Sequence, residues 1–306
     1  MAKTPPAFPP PSQAIHQIVG TALAEDRSGG DITSNILIED SWQARARIIA
    51  KHPMVVAGVL VAQETFRQVD PTLRVTIHKK DGQWTAKAVT IMTISGPARS
   101  LLQGERVALN FLQRLSGIST LTHRCCQAIK GLPTILTDTR KTTPGLRVLE
   151  KWAVRLGGGH NHRSSLDDGV LIKDNHLVLL KANRIGITQA CLSAKARAPH
   201  GLKIGVEVEN LKQVDQALLG KADVILLDNM TPAQVQQAIA KVRQRAITEV
   251  SGGITLDNLH SMARARPDFI SIGALTHSAP AMDYTMEITP FPPKRRAATI
   301  KRGTTR

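Results

Sequence analysis

LKIGVEVENLKQVDQALLGKADVILLDNM, residues 202–230, sets two apolar runs on either side of a polar segment. The runs LKIGVEVE and ADVILLDN are of strand length and rich in Val, Ile and Leu. The segment between them, near 211–219, reads as a helix. Strand, helix and strand in direct succession make a βα unit, and the strands of such a unit run parallel.

The alternation continues in both directions. TILTDT and GVLIKD precede the stretch, and AITEVSGG and DFISIGA follow it. Helical segments are expected near 145–156, 186–197, 211–219, 232–244 and 255–265. Six or seven βα units within about 160 residues favour a barrel or part of one, with an open doubly wound sheet as the alternative. The apolar runs end in polar residues: Asp138, Arg140 and Lys141; Lys173 and Asp174; Glu207 and Glu209; Asp228 and Asn229; Ser251, Gly252 and Gly253; Gly273. In a βα barrel such strand ends converge on one rim, where active sites are built. Charges after a strand can simply mark a loop, but six strands in succession favour a functional rim.

Residues before 118 have a different texture. An extended leader is expected over 1–13, then a helix in AIHQIVGTALAED. EDRSGGDITS is a glycine-rich turn in which Ser34 is a candidate cap. Short β-like runs such as ARARIIA and LRVTIHKK surround a helix near 58–69. PARSLLQGERVALNFLQRLSG opens on proline and closes on glycine, so it reads as a helix ending at Gly117.

Composition narrows the function classes. The 306 residues are 42% hydrophobic and only 3% aromatic, so the core rests on Ala, Val, Ile and Leu, as buried parallel strands require. The net charge of +16 points to an anionic partner. Part of that charge lies in PPKRRAATIKRGTTR, expected to be a disordered basic tail over 291–306. Nucleic-acid binding would call for aromatic stacking platforms, which are scarce here. Cys125, Cys126 and Cys191 form no metal spacing or disulfide framework, so reduced thiols and a cytoplasmic location are expected. No apolar run is long enough for a membrane span.

The densest cations lie in TDTRKTTPGLRVLEKWAVRLGGGHNHR, residues 137–163. Arg147, Lys151 and Arg155 recur every four residues and are expected to form a solvated helix face outside the site. Arg106, read alone, is an ordinary surface arginine on an amphipathic helix. SGG at 251–253 and IGA at 272–274 follow the last two strands, where backbone N–H groups make an anion cradle. The glycines of GGGHNHR either join such a cradle or allow a sharp bend.

TDTRKTTPGLR, GGGHNHRSSLDDGVLIKDNH, VEVEN, ILLDNM, EVSGGI and ISIGALTHS, in this order, resemble the quinolinate phosphoribosyltransferase family. The likeness covers about residues 14–285. It implies an N-terminal α/β sandwich, residues 14–117 plus about 276–290, and an incomplete parallel α/β barrel over 118–275. It implies transfer of phosphoribose from phosphoribosyl pyrophosphate to quinolinate with decarboxylation, a step of NAD synthesis, assisted by Mg2+ in a homodimer. Arg140 and Arg163 resemble the carboxylate binders, with Thr139, Lys141, His162 and Lys173 nearby. Arg106 resembles an arginine donated across the dimer interface. Ser251, Gly252, Gly253, Ile272, Gly273 and Ala274 are expected to hold the ribose phosphate. Glu207 and Asp228 are candidates for binding ribose hydroxyls or Mg2+, or for stabilising a developing cation. Lys141 and Lys173 are both candidates to assist decarboxylation. His160 is a local variation, and Ala88 stands near a position where the family has glycine. A paralogous phosphoribosyltransferase of the same fold is the nearest rival, and the intact TRK, HNHR and VEVE set argues against it.

Overall fold

A computed structural model describes residues 7–291, so the expectations for residues 1–6 and 292–306 lie outside the described residues. The chain opens with α1 (Ser12–Arg27) and α2 (Ile32–Leu37). Thus α1 begins inside the stretch read as a leader, and Pro10 before it is buried. Asp31 caps α2 by accepting from the Ser34 backbone N–H at 2.9 Å. Ser34 is therefore a buried residue within the helix rather than its cap.

β1 (Gln43–Ala50), β2 (Met54–Val55), α3 (Val59–Val69), β3 (Arg74–Ile77), β4 (Trp84–Thr85) and β5 (Val89–Pro97) follow. β1 alternates exposed and buried residues, as a strand with one wet face does. Ala88, just before β5, takes the left-handed conformation with φ 62°. An alanine here keeps a backbone that glycine adopts freely, at about 1–2 kcal/mol.

α4 (Ala98–Ala128) is one continuous helix that does not stop at Gly117. A Cβ on Gly117 would sit 2.2 Å from the Pro280 carbonyl oxygen, so this glycine serves close packing inside the helix. The helix joins two cores: Leu101 and Leu112 pack on the N-terminal sheet, Leu115 and Ile118 on the barrel.

The second half alternates strand and helix. β6 (Ile135–Thr137), α5 (Arg147–Leu156), β7 (Val170–Ile172), α6 (Asp174–Ala182), α7 (Ile187–Arg197) and β8 (Ile204–Val208) come first. α8 (Leu211–Leu219), β9 (Val224–Asp228), α9 (Pro232–Val242), β10 (Ile247–Ser251), α10 (Leu256–Arg264), β11 (Phe269–Ser271) and α11 (Ala274–His277) complete it. The six strands pair in parallel in the order β6-β11-β10-β9-β8-β7. From β7 to β11 the order never reverses, as a doubly wound sheet would require, and β6 lies beyond β11. The sheet is thus a barrel with an open seam between β6 and β7. Part of that seam is filled by His160, which bridges to Thr137 on the free edge of β6.

β12 (Tyr284–Pro290) returns to the N-terminal half and pairs antiparallel with β1, in a sheet ordered β12-β1-β5-β3. An antiparallel α/β sandwich and an incomplete parallel α/β barrel therefore make up the molecule. α6 was not foreseen from sequence, because it buries no residue and leaves Val178 and Leu179 exposed.

Candidate active site

The strand-end residues meet at the C-terminal rim of the barrel, and α5 supports one wall of it from behind. Asp138, at the end of β6, is fully buried. It accepts from Lys151 Nζ at 2.5 Å, from Asn161 Nδ2 at 2.6 Å and from the His162 backbone N–H at 2.8 Å. Lys151 Nζ also donates to the His162 carbonyl at 2.9 Å. Burial pushes the Asp138 carboxyl up and the Lys151 ammonium down, and the attraction between them opposes both shifts. Glu150, also fully buried, accepts from Arg114 and from the backbone N–H and hydroxyl of Thr143.

Arg147, Lys151 and Arg155 are thus not a solvated face. Arg147 donates to Thr142 Oγ1 and the Ser164 carbonyl, and Arg155 to the Gly159 carbonyl. Together they hold the TRKTTPG and GGGHNHR loops. A four-residue repeat of cations looks the same whether it faces water or a buried carboxylate; only the tertiary partner Asp138 distinguishes the two. The glycine turn is sterically required, since a Cβ on Gly157 would meet the Ser119 carbonyl oxygen at 2.4 Å.

This wall presents the cations. Arg140 carries a buried Nε–H with no hydrogen-bond partner among the described residues. Arg163 donates Nη1 to the Gly169 carbonyl at 2.8 Å. Its pKa is lowered, first by burial and then by the like charge of Arg140. Two neighbouring guanidiniums, one with an orphaned donor, are chemically incomplete without an anion. Lys173 pairs with Glu207 at 2.8 Å, and the Thr139 hydroxyl accepts from the Lys141 backbone N–H.

The opposite wall is backbone. Gly252 and Gly253 are left-handed, with φ 87° and 60°. A Cβ on Gly252 would lie 2.2 Å from Asn229 Oδ1, whereas one on Gly253 would meet nothing within 4 Å. Gly273 lies beneath the Lys141 side chain, whose Cδ would be 3.0 Å from an added Cβ. Ile272 differs from expectation: its N–H goes to the Thr137 carbonyl and its side chain is buried, so it supports the cradle from below. Ser251, Gly253, Gly273 and Ala274 stay at the rim.

Between the walls stand Glu207 and Asp228. The Asp228 carboxyl is raised above its ordinary value by burial and then by the nearby charge of Glu209, and it accepts from Asn229 Nδ2 at 2.9 Å. No group of three or more His, Cys, Asp or Glu side chains among the described residues is arranged to hold a metal. Arg106 is exposed on the first half of α4, and the single chain does not place it on the rim.

One residue was missed from sequence. Glu249, in β10, is 5% exposed, and its Oε2 lies 3.4 Å from His162 Nε2 while its Oε1 is buried without a partner. The signal was available as an acid in the middle of the apolar run AITEVSGG. A cavity of about 230 Å³ adjoins it, lined among others by Thr137, His162, Arg163, Gly169 and Phe269.

An incomplete barrel with a cationic wall facing a glycine wall at its strand ends defines an enzyme for small polyanionic substrates. Comparison with known proteins gives the family. Quinolinate phosphoribosyl transferase, N-terminal domain, matches residues 31–116, and the C-terminal domain of the same family matches residues 118–287. The chain belongs to the quinolinate phosphoribosyltransferase family. It is 42% identical over 275 residues to a probable carboxylating nicotinate-nucleotide pyrophosphorylase of Bacillus subtilis, covering 90% of this chain and 93% of that protein. It is 37% identical to the chloroplastic carboxylating enzyme of Arabidopsis thaliana, covering 94% and 86% of the two chains. The nicotinate-nucleotide pyrophosphorylase structure from Francisella tularensis superposes with a TM-score of 0.87 at 36% identity, covering 92% of this chain and 99% of that one. The two matched family regions meet within α4, a helix without a break.

Proposed function

We propose that this protein transfers phosphoribose from phosphoribosyl pyrophosphate to the ring nitrogen of quinolinate and releases carbon dioxide, giving nicotinate mononucleotide and pyrophosphate for NAD synthesis. The observation that carries the reading is the orphaned, buried Arg140 Nε–H beside Arg163. Quinolinate bears two adjacent carboxylates, and a guanidinium fork donates two parallel hydrogen bonds to each such group. Arg140 and Arg163 take these carboxylates, with Thr139, Lys141, His162 and Lys173 around them. The Ser251–Gly253 turn, Gly273 and Ala274 receive the 5′-phosphate on backbone N–H groups.

The bond between ribose C1 and the diphosphate loosens, and positive charge develops on the sugar. Glu207 and Asp228 stabilise that charge and hold the ribose hydroxyls. The quinolinate nitrogen then attacks C1 and becomes quaternary. In that state the positive nitrogen stabilises the electron pair left on the adjacent ring carbon when its carboxylate departs as carbon dioxide, and that carbon then takes a proton from water. Lys141 and Lys173 supply the positive charge that steadies this step.

Two carboxylates on adjacent strands, with no third protein ligand, fit Mg2+, which is commonly bound by one or two carboxylates plus substrate phosphates. Bound there through Glu207 and Asp228, the ion would neutralise the diphosphate leaving group. We also place Arg106 in the site of a second copy in a homodimer; the exposed Leu166, Val178 and Leu179 support a covered face. The free Cys125, Cys126 and Cys191 support a reducing, cytoplasmic compartment. No helix of the described residues is long and apolar enough to cross a membrane.

The test is release of carbon dioxide and nicotinate mononucleotide from quinolinate, phosphoribosyl pyrophosphate and Mg2+, with nicotinate as the single-carboxylate control. Turnover dependent on quinolinate and lost in Arg140→Ala supports the reading. A folded wild type without turnover refutes it.

A further inference from the structure

We propose that Glu249 is a positioning residue for the dicarboxylate half of the site, acting through the His162 ring on Arg163; the proposal rests on the functional reading above. Glu249 pairs in register with Leu226 on one side and Phe269 on the other, at the middle of the barrel wall. It stands two residues before Ser251 on the same strand, so both face the same side and Glu249 lies one layer below the rim.

The hydrogen bonds define the His162 tautomer. The Arg163 backbone N–H donates to His162 Nδ1 at 2.8 Å. A ring nitrogen that accepts carries no proton, so the neutral ring bears its proton on Nε2. Nε2 faces Glu249 Oε2 at 3.4 Å. The His162 backbone is fixed separately, its N–H by Asp138 and its carbonyl by Lys151. The backbone is therefore held from the end of β6 and from α5, and the ring from β10.

The ring needs this second tether. The cavity of about 230 Å³ beside it is lined by His162, Arg163 and Glu249 themselves, so close packing does not confine the ring there. A ring that turned into that space would withdraw Nδ1 from the Arg163 N–H and release the start of the arginine. Among the described residues, the guanidinium is otherwise hydrogen-bonded only through Nη1 to the Gly169 carbonyl, on the exposed SSLDDG loop. A purely structural position would not keep a buried carboxylate with one oxygen unpartnered, because that desolvation is unfavourable.

Three variants and one spectrum test this. Glu249→Met keeps the volume and removes the carboxylate that faces Nε2; the expected result is a rise of about tenfold or more in the quinolinate KM, with the phosphoribosyl pyrophosphate KM within about twofold. Glu249→Gln, whose amide oxygen can still face Nε2, should restore most of the quinolinate affinity. Glu249→Ala controls for simple loss of packing through its melting temperature. ¹⁵N spectra of the ligand-free wild type should show His162 protonated at Nε2 and bare at Nδ1, and Glu249→Met should lose that single pattern. A rise confined to the phosphoribosyl pyrophosphate KM would overturn the proposal in favour of direct contact with the sugar. Equal changes in both KM values that track melting temperature would overturn it in favour of a core role. If the wild type shows no quinolinate-dependent turnover, the functional reading falls, and the His162 spectrum alone still decides whether Glu249 sets the ring.

Discussion

The two walls of the rim meet anions by opposite means. The β6–β7 side uses long cationic side chains, and the β10–β11 side uses bare backbone. On the cationic wall the presenting loop depends on charges nowhere near the surface: Asp138 and Glu150 are fully buried, and Lys151 is 5% exposed. On the glycine wall the geometry depends instead on what is missing, the Cβ of Gly252. One wall should fail when a partner is removed, the other when an atom is added.

The largest expected effect comes from breaking the hidden pair. Lys151→Met leaves Asp138 buried opposite an apolar chain, a change that costs about 3–5 kcal/mol for a buried pair broken on one side. Urea unfolding would measure it. The double change Asp138→Asn with Lys151→Met should recover part of the loss, because it removes the uncompensated charge. If Lys151→Met unfolds at the same urea concentration as the wild type, the pair does not hold the cationic wall.

How much of this was legible in the sequence follows the same division. Parallel strands read clearly because they are apolar runs ending abruptly in polar residues, and that same ending named Arg140, Lys173, Glu207, Asp228 and the SGG turn. The glycine wall was visible as glycine. The supports of the cationic wall were not, since Lys151 reads as surface until Asp138 is known to lie behind it. Gly117 reads as a helix stop until the backbone at Pro280 arrives against it. α6 gave little amphipathic signal because the face it turns to the core, Leu177 and Leu180, is only partly buried while Val178 and Leu179 stay exposed. Each of these depends on a partner distant in sequence, which periodicity does not record.

Gly252→Ala should break the other wall. The added Cβ would fall 2.2 Å from Asn229 Oδ1 on a backbone with φ 87°, so the turn or Asn229 must shift. A displacement of about 1 Å in a positioning element costs about 10²-fold in rate. The expected loss is in phosphoribosyl pyrophosphate kinetics, with quinolinate binding to the free enzyme preserved. Equal loss for both substrates would mean that the walls are not separable.

Asp228 stands between the walls and carries the pH dependence. Its carboxyl is raised in the folded chain, so the folded state holds that proton more tightly than the unfolded chain does. Stability therefore falls as the pH rises from the ordinary carboxylate value towards the raised one, and the full loss persists above it. Asp228→Asn should melt higher than the wild type at neutral pH, and the difference should vanish below the ordinary carboxylate value of 3.8. The same variant should lose activity at every pH, which a scan of rate and melting temperature together would show. A melting temperature below the wild type's at neutral pH would mean that the carboxylate is held by partners that outweigh its burial.

The smallest effect separates the two ways in which a glycine can be required. Ala88 and Gly252 share a left-handed backbone, with φ 62° and 87°. At Gly252 conformation and collision act together, because Asn229 occupies the space a side chain would need. At Ala88 the side chain is already accommodated, so only the conformational part remains. The left-handed alanine costs about 1–2 kcal/mol, and glycine in its place gives back about 0.5–1 kcal/mol through its greater freedom in the unfolded chain. Ala88→Gly should therefore change stability by between about 0 and about 1.5 kcal/mol in the stabilising direction in urea unfolding, with kinetics unchanged. A gain as large as the loss in Gly252→Ala would show that backbone conformation alone explains the glycine wall. A small gain leaves the collision with Asn229 as the reason that Gly252 cannot follow Ala88.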